Sequence, residues 1–181
     1  MEIIMGAKTI GGFNTTLQEV EERYAWINEM IKSRQELVLK YMNLLKAPEH
    51  DDLTDTAQDR PSPEAITAFC EHLVDYISHG HFDLYPKIVE LLEKSSSRSL
   101  SIAHRVMPKI DATTDFLLRF NDRYADDMDE RKYEFLMGDL AKAGEKLELR
   151  FKSEDRLIIG LRILNIRATA AAQAKVQEEQ K

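Results

Sequence analysis

EVEERYAWINEMIKSRQELVLKYMNLLK, residues 19–46, is the stretch whose period decides the fold. Val20, Tyr24, Ile27, Ile31, Val38, Tyr41 and Leu45 recur at alternating steps of four and three, and Arg34 is the one polar residue in the series. That spacing lays them along one stripe of an α-helix, the pattern of a helix packed in a bundle. Pro48 ends the helix, because its ring and missing N–H cannot continue the ladder. The segment from Glu49 to Pro61, with Asp51, Asp52, Asp55 and Asp59, reads as a solvated loop.

The rest of the chain repeats the same design. Ser62 as cap and Pro63 in the first turn open a second helix that buries Ile66, Phe69, Cys70, Leu73 and Ile77 and stops near Gly80. Asp83 stands where it can cap a third, with Leu84, Tyr85, Ile88, Val89 and Leu92 on its apolar side and Pro86 in its first turn. A fourth runs from about Leu100 to Ala125 with Ala103, Val106, Ile110, Leu117, Phe120 and Tyr124 inward and a kink expected around Pro108. After the acidic turn Asp126–Asp129, a last helix from about Glu130 to Arg167 carries Tyr133, Leu136, Leu140, Ala143, Leu147, Leu157, Leu161 and Leu164. Short connections and one apolar stripe per helix imply an all-α fold, an antiparallel helical bundle of four to five main helices. Residues 1–18 lack a period and read as a flexible N-terminal arm, 19–167 as the bundle domain, and 168–181 as a helix-prone tail.

Composition agrees with this frame and narrows the function. Glycine and proline number only 7 and 5, and a chain of 181 residues suits one domain with a real core. The lone cysteine, Cys70, forms no intramolecular disulfide, which favours a reducing compartment. No signal-peptide pattern and no membrane-spanning apolar run is present, so the expected location is cytoplasmic. The net charge of −7 disfavours direct nucleic-acid binding, where Lys and Arg must neutralise phosphates, and suits a basic partner better.

Enzyme readings fail on their required groups. No histidine has a glutamate three residues before it, as a carboxylate-bridged di-metal bundle needs, and neither a phosphate-binding glycine loop nor a Gly-x-Ser-x-Gly elbow occurs. His79 and His81 are two apart, so on a helix they diverge, and no metal or cofactor is expected. The alternative from another class is a histidine phosphotransfer-like signalling module presenting His104, although Met107 and Pro108 stand where such modules carry Lys and Gly.

Two sets of residues remain. Arg34, Arg150 and Glu154 fall on otherwise apolar stripes, and buried charges need partners, so they are expected to meet in a polar layer that fixes helix register or supports a binding surface. On the second helix, opposite its core side, Glu64, Ala68, Glu71, Asp75 and Ser78 form a narrow acidic and small-residue stripe, with Phe82 one step beyond. Carboxylates beside an exposed aromatic suit a basic, partly apolar protein surface.

The segment Phe69-Cys70-Glu71-His72-Leu73-Val74-Asp75-Tyr76-Ile77-Ser78-His79-Gly80-His81-Phe82 resembles the signature region of the Rsd/AlgQ (regulator of sigma D) anti-sigma family. Phe-Cys, Leu-Val-Asp-Tyr, Ser and Gly-His-Phe keep the family's spacing, and the likeness continues through Tyr85, Ile88 and Glu93. Arg34, Leu37, Tyr41 and Leu44 resemble its first helix, and Leu147-Glu148, Arg150-Phe151 and Glu154-Asp155 its last, so the likeness spans roughly residues 20–165. The resemblance implies binding of the primary sigma factor of RNA polymerase, chiefly its basic region 4 with region 2 as a further contact, through Asp75, Ser78 and Phe82. Glu71 joins them by its place on the stripe. It also implies that the bound sigma is kept from promoter −35 DNA and core polymerase. Some relatives also engage a phosphocarrier protein or a stringent-response enzyme, contacts that no residue pattern here establishes. Pro86 and His79 depart from the family pattern, and His79 is placed to tune binding with pH.

Overall fold

The computed structural model describes residues 24–46, 60–94 and 97–179, so the arm at 1–18 and the acidic loop of Asp51, Asp52, Asp55 and Asp59 lie outside the described residues. Five α-helices follow in order: α1 (Ala25–Leu45), α2 (Pro63–His79), α3 (Tyr85–Glu93), α4 (Ser97–Tyr124) and α5 (Glu130–Glu179). A π-helical turn, Gly80–Leu84, joins α2 to α3. All regular structure among the described residues is helical.

Cross-helix contacts give the directions. Arg34 meets Asp155 and Tyr41 donates to the Leu140 carbonyl, so α1 runs antiparallel to α5. Thr114 meets Arg150 and Arg123 meets Asp139, so α4 is antiparallel to α5 as well. Arg60 pairs with Glu130 just before α2, Tyr76 with Glu154 near its end, and Tyr85 with Glu154 at the start of α3. Hence α2, the π turn and α3 form one rod alongside α5 and parallel to it. The result is a bundle of four rods in which α4 and α5 share the longest seam.

The start of α2 follows its sequence signals: the Ser62 hydroxyl accepts from the Ala65 N–H at 3.2 Å, with Pro63 at the first helical position. Ile66, Phe69, Cys70, Leu73 and Ile77 are all buried, each large aliphatic side chain contributing roughly 1.5–3 kcal/mol relative to exposure. The expected inward residues of α4 are buried too, and so are Leu136, Leu140, Ala143, Leu147, Leu157 and Leu161 of α5. Pro108 lies within α4 without interrupting its helical assignment.

Two sequence expectations are corrected. The buried line of α1 is Tyr24, Ile27, Met30, Leu37 and Leu44, whereas Val38 and Leu45, placed on the stripe by spacing, are each 38% exposed. Both positions belong to apolar runs, Leu37-Val38-Leu39 and Leu44-Leu45, and tertiary packing buries the first member of each. Second, the chain does not stop at Gly80 to be capped anew by Asp83. The Tyr85 N–H donates to the Gly80 carbonyl, five residues back, and Asp83 Oδ2 lies 3.1 Å from His79 Nδ1 instead. The wider turn precedes Pro86, whose missing N–H could not have continued an ordinary ladder. The helix-prone tail extends the last helix, and α5 continues past Arg167 to Glu179. Its 50 residues span about 75 Å, and beyond Leu161 the described side chains, Arg167 and residues 170–175, are exposed.

Candidate functional site

The outward face of α2 is built by the same period that builds its core side. Leu73, Tyr76 and Ile77 point inward, which turns Glu71 and Asp75 to solvent and leaves Ser78 half-buried. Glu64 is exposed on the same line and Ala68 half-buried. One step further, in the π turn, Phe82 is 75% exposed, the most exposed large hydrophobic side chain among the described residues. His81 packs edge-on against it with ring centroids 5.1 Å apart. Asp75, Ser78, Phe82 and Glu71 therefore share one face of the rod formed by α2 and the π turn. His79 and Asp83 flank that face as an exposed pair.

Directly beneath lies a buried ionic network centred on Glu154, which is 1% exposed. Its Oε2 accepts from Tyr76 Oη at 2.5 Å and Arg34 Nη2 at 3.0 Å; its Oε1 accepts from Tyr85 Oη at 2.5 Å and Arg150 Nε at 3.1 Å. Arg150, fully buried, also donates to Tyr85 Oη at 2.9 Å and to the hydroxyls of Thr114 and Thr113 at 2.9 and 3.3 Å. Arg34 donates to Asp155 Oδ1 at 2.6 Å and to Tyr76 Oη at 3.3 Å, and its guanidinium lies 4.9 Å from the centroid of the Phe151 ring. Two guanidinium groups thus face two carboxylates, and every helix of the bundle contributes a side chain.

The titration behaviour follows from this geometry. Burial, reinforced by the Glu154 charge, pushes the Tyr76 and Tyr85 phenols well above their ordinary range, because a phenolate there would face a carboxylate out of water. Burial alone would lower Arg34, but Tyr76, Asp155 and Glu154 more than offset it and hold the guanidinium above its usual value. Burial, with the Glu71 charge nearby, pushes the Cys70 thiol up to about 12.

Arg34, Arg150 and Glu154 are accordingly brought together. Sequence reasoning missed Tyr76, Tyr85, Thr113, Thr114 and Asp155. A signal for some of them existed. Thr113-Thr114 interrupts the α4 stripe between Ile110 and Leu117 at the level of Arg150, and a buried tyrosine hydroxyl requires a partner. His104, the residue of the phosphotransfer alternative, is exposed on α4. No helix of the described residues is long and apolar enough to cross a membrane.

These features define a helical bundle with an ionic centre beneath an acidic and aromatic face. Residues 11–162 match the model of the family described as regulator of RNA polymerase sigma(70) subunit, Rsd/AlgQ. The chain is 30% identical over 151 residues to the regulator of sigma D of Yersinia enterocolitica, covering 78% of this chain and 86% of that protein. It is 31% identical over 150 residues to the regulator of sigma D of Shigella dysenteriae, covering 79% of this chain and 90% of that one. The chain belongs to the Rsd/AlgQ family of sigma(70) regulators.

Proposed function

We propose that this chain regulates transcription by binding the primary sigma factor, chiefly region 4, through the face made by Asp75, Ser78, Phe82 and Glu71. Binding, with no catalytic step, is the whole of its action, and it takes place in the cytoplasm. The observation that carries the reading is Phe82, left 75% exposed in line with the exposed carboxylates of Asp75 and Glu71. An aromatic side chain costs free energy in water and gains it on entering an apolar recess of a partner, while the carboxylates steer and orient a basic one. Region 4, a basic helix-turn-helix element, offers that combination. Once covered, it is withheld from promoter −35 DNA and from core polymerase. Region 2 is a secondary contact in this reading, and a phosphocarrier protein or stringent-response enzyme has no assigned surface.

Asp75→Arg tests the reading. It removes an attraction and adds a repulsion, which for a partly desolvated pair costs about 2–5 kcal/mol. Affinity for isolated region 4 is expected to fall at least about tenfold. Because Asp75 is exposed, stability should change by less than roughly half a kcal/mol. Calorimetric titration alongside a melting curve measures both. Equal affinity of variant and parent would remove Asp75 from the interface.

A further inference from the structure

Ser78 and Phe82 of the face assigned above to sigma binding lie on the chain from Tyr76 to Tyr85, with Asp75 just before it, and both ends of that segment are tied to one buried carboxylate. Tyr76, adjacent to Asp75, donates to Glu154 Oε2, and Tyr85, which closes the π turn, donates to Glu154 Oε1, each at 2.5 Å. Between these anchors lie Ser78 and Phe82. The Tyr85 anchor also sets the turn sterically. Its ring lies so close to Gly80 that a Cβ there would stand 2.7 Å from Tyr85 Oη and 2.9 Å from Cζ. The hydroxyl cannot retreat freely, because Arg150 Nη2 at 2.9 Å and Glu154 Oε1 at 2.5 Å both hold it. The Tyr85 N–H then closes the wide turn on the Gly80 carbonyl, and that turn determines where Phe82 emerges.

We infer that Tyr76 and Tyr85, clamped by the two oxygens of Glu154, are positioning residues that fix the geometry of the Asp75–Phe82 face, so that this clamp governs partner affinity without touching the partner. The inference rests on the sigma-binding reading of that face. A buried layer that served stability alone would have no reason to bind both ends of the exposed segment. Here one carboxylate couples the two ends, so loosening either changes the spacing between Asp75 and Phe82. Wider π turns also recur at functional sites in helices, where they redirect a side chain.

Tyr85→Phe is the decisive variant, since it removes one hydroxyl and keeps the ring. Thr114→Val is its control, because it takes a hydroxyl from Arg150 on the α4 side of the same network while leaving both tyrosine bonds to Glu154 in place. In the free, full-length protein, Tyr85→Phe should speed amide exchange across residues 80–85 while Thr114→Val should not. Titration with isolated sigma region 4 should find affinity lowered roughly tenfold by Tyr85→Phe, a change of about 1.4 kcal/mol, and unaltered by Thr114→Val. A double-mutant cycle with Phe82→Ala adds a readout that plain destabilisation does not move: the loss caused by Phe82→Ala should shrink in the Tyr85→Phe background. Additive losses, or equal loss of affinity in Tyr85→Phe and Thr114→Val, would overturn the positioning role while leaving the sigma-binding reading intact. Failure of the parent chain itself to bind region 4 would overturn that reading and the inference with it.

Discussion

Glu154 receives four donors, two from guanidinium groups and two from phenols, which is as much as a carboxylate's two oxygens ordinarily accept. Loss of that carboxylate would leave Arg150 buried with one counter-charge fewer, a change that costs about 3–5 kcal/mol when a buried pair is broken. The same burial makes the protein sensitive to alkali, and the sign follows from linkage. Cys70 is raised from 9.0 to about 12, and Tyr76 and Tyr85 are raised from 10.0 to well above it. All three groups hold their protons more tightly in the fold than in the unfolded chain. Their contribution is therefore complete below the unfolded values and is lost as pH climbs toward the folded ones. Stability should be level near pH 8, begin to fall above about pH 9 as unfolded Cys70 ionises, and fall more steeply above about pH 10 as the unfolded phenols follow. Urea midpoints across this range measure the decline, and Cys70→Ala should remove its first part. A flat profile to about pH 11 would mean that these groups are far less enclosed than their geometry implies.

At the scale of elements, the turn Gly80–Leu84 is where the fold departs most from what periodicity can convey. Gly80 followed by Asp83 has the form of a helix end and a new cap, and only the approach of Tyr85 to Gly80 explains why a glycine stands in a continuous rod with a right-handed φ of −57°. In an open helix, Gly→Ala would gain roughly 0.5–1 kcal/mol. Gly80→Ala should instead destabilise by about 1–3 kcal/mol, because its Cβ meets a ring whose hydroxyl is held by Arg150 and Glu154. A raised melting midpoint for that variant would show that the ring yields. The other helices were legible in the sequence because each buries a stripe that neighbouring polar residues delimit. Helix α1 was phased correctly at Tyr24 and Ile27 and misphased by one position at later ones, since Met30-Ile31, Leu37-Val38 and Leu44-Leu45 each offer two apolar candidates and only tertiary contact chooses between them. The candidate face was legible as the back of the α2 core stripe, and the charged members of the network as breaks in apolar series. Its tyrosines were not, because a tyrosine on a core stripe fits an apolar reading until the facing carboxylate is located. At the far end, α5 beyond Arg167 exposes residues 170–175, so that stretch adds helix without adding core. Removing residues 168–181 should lower helical dichroism while leaving the melting midpoint almost unchanged. A clear drop in that midpoint would reveal a tertiary role for the extension.

On the scale of the whole molecule, charge is divided between two tasks. Within the network Arg34 and Arg150 balance Glu154 and Asp155, so the interior is electrically closed and adds little to the long-range field. The net charge of −7 is therefore carried by the rest of the molecule, and Glu64, Glu71 and Asp75 place part of it along the outward face of α2. A field of that kind accelerates encounter with a basic partner over distances that salt screens, the screening length being about 10 Å at 0.1 M and shrinking to about 3 Å at 1 M. In the proposed complex, contacts made after docking, such as burial of Phe82, would be screened far less. The proposed binding to sigma region 4 should consequently show an association rate constant that falls by roughly tenfold or more between about 0.05 M and 0.5 M salt, with a dissociation rate constant that changes much less. Phe82→Ala should do the opposite, raising dissociation several-fold with little effect on association, because an apolar anchor contributes nothing to the field. Stopped-flow mixing at a series of ionic strengths separates the two rate constants. Salt-independent association would mean that the acidic face does not steer the encounter, and the role of Asp75 would then be confined to the docked complex.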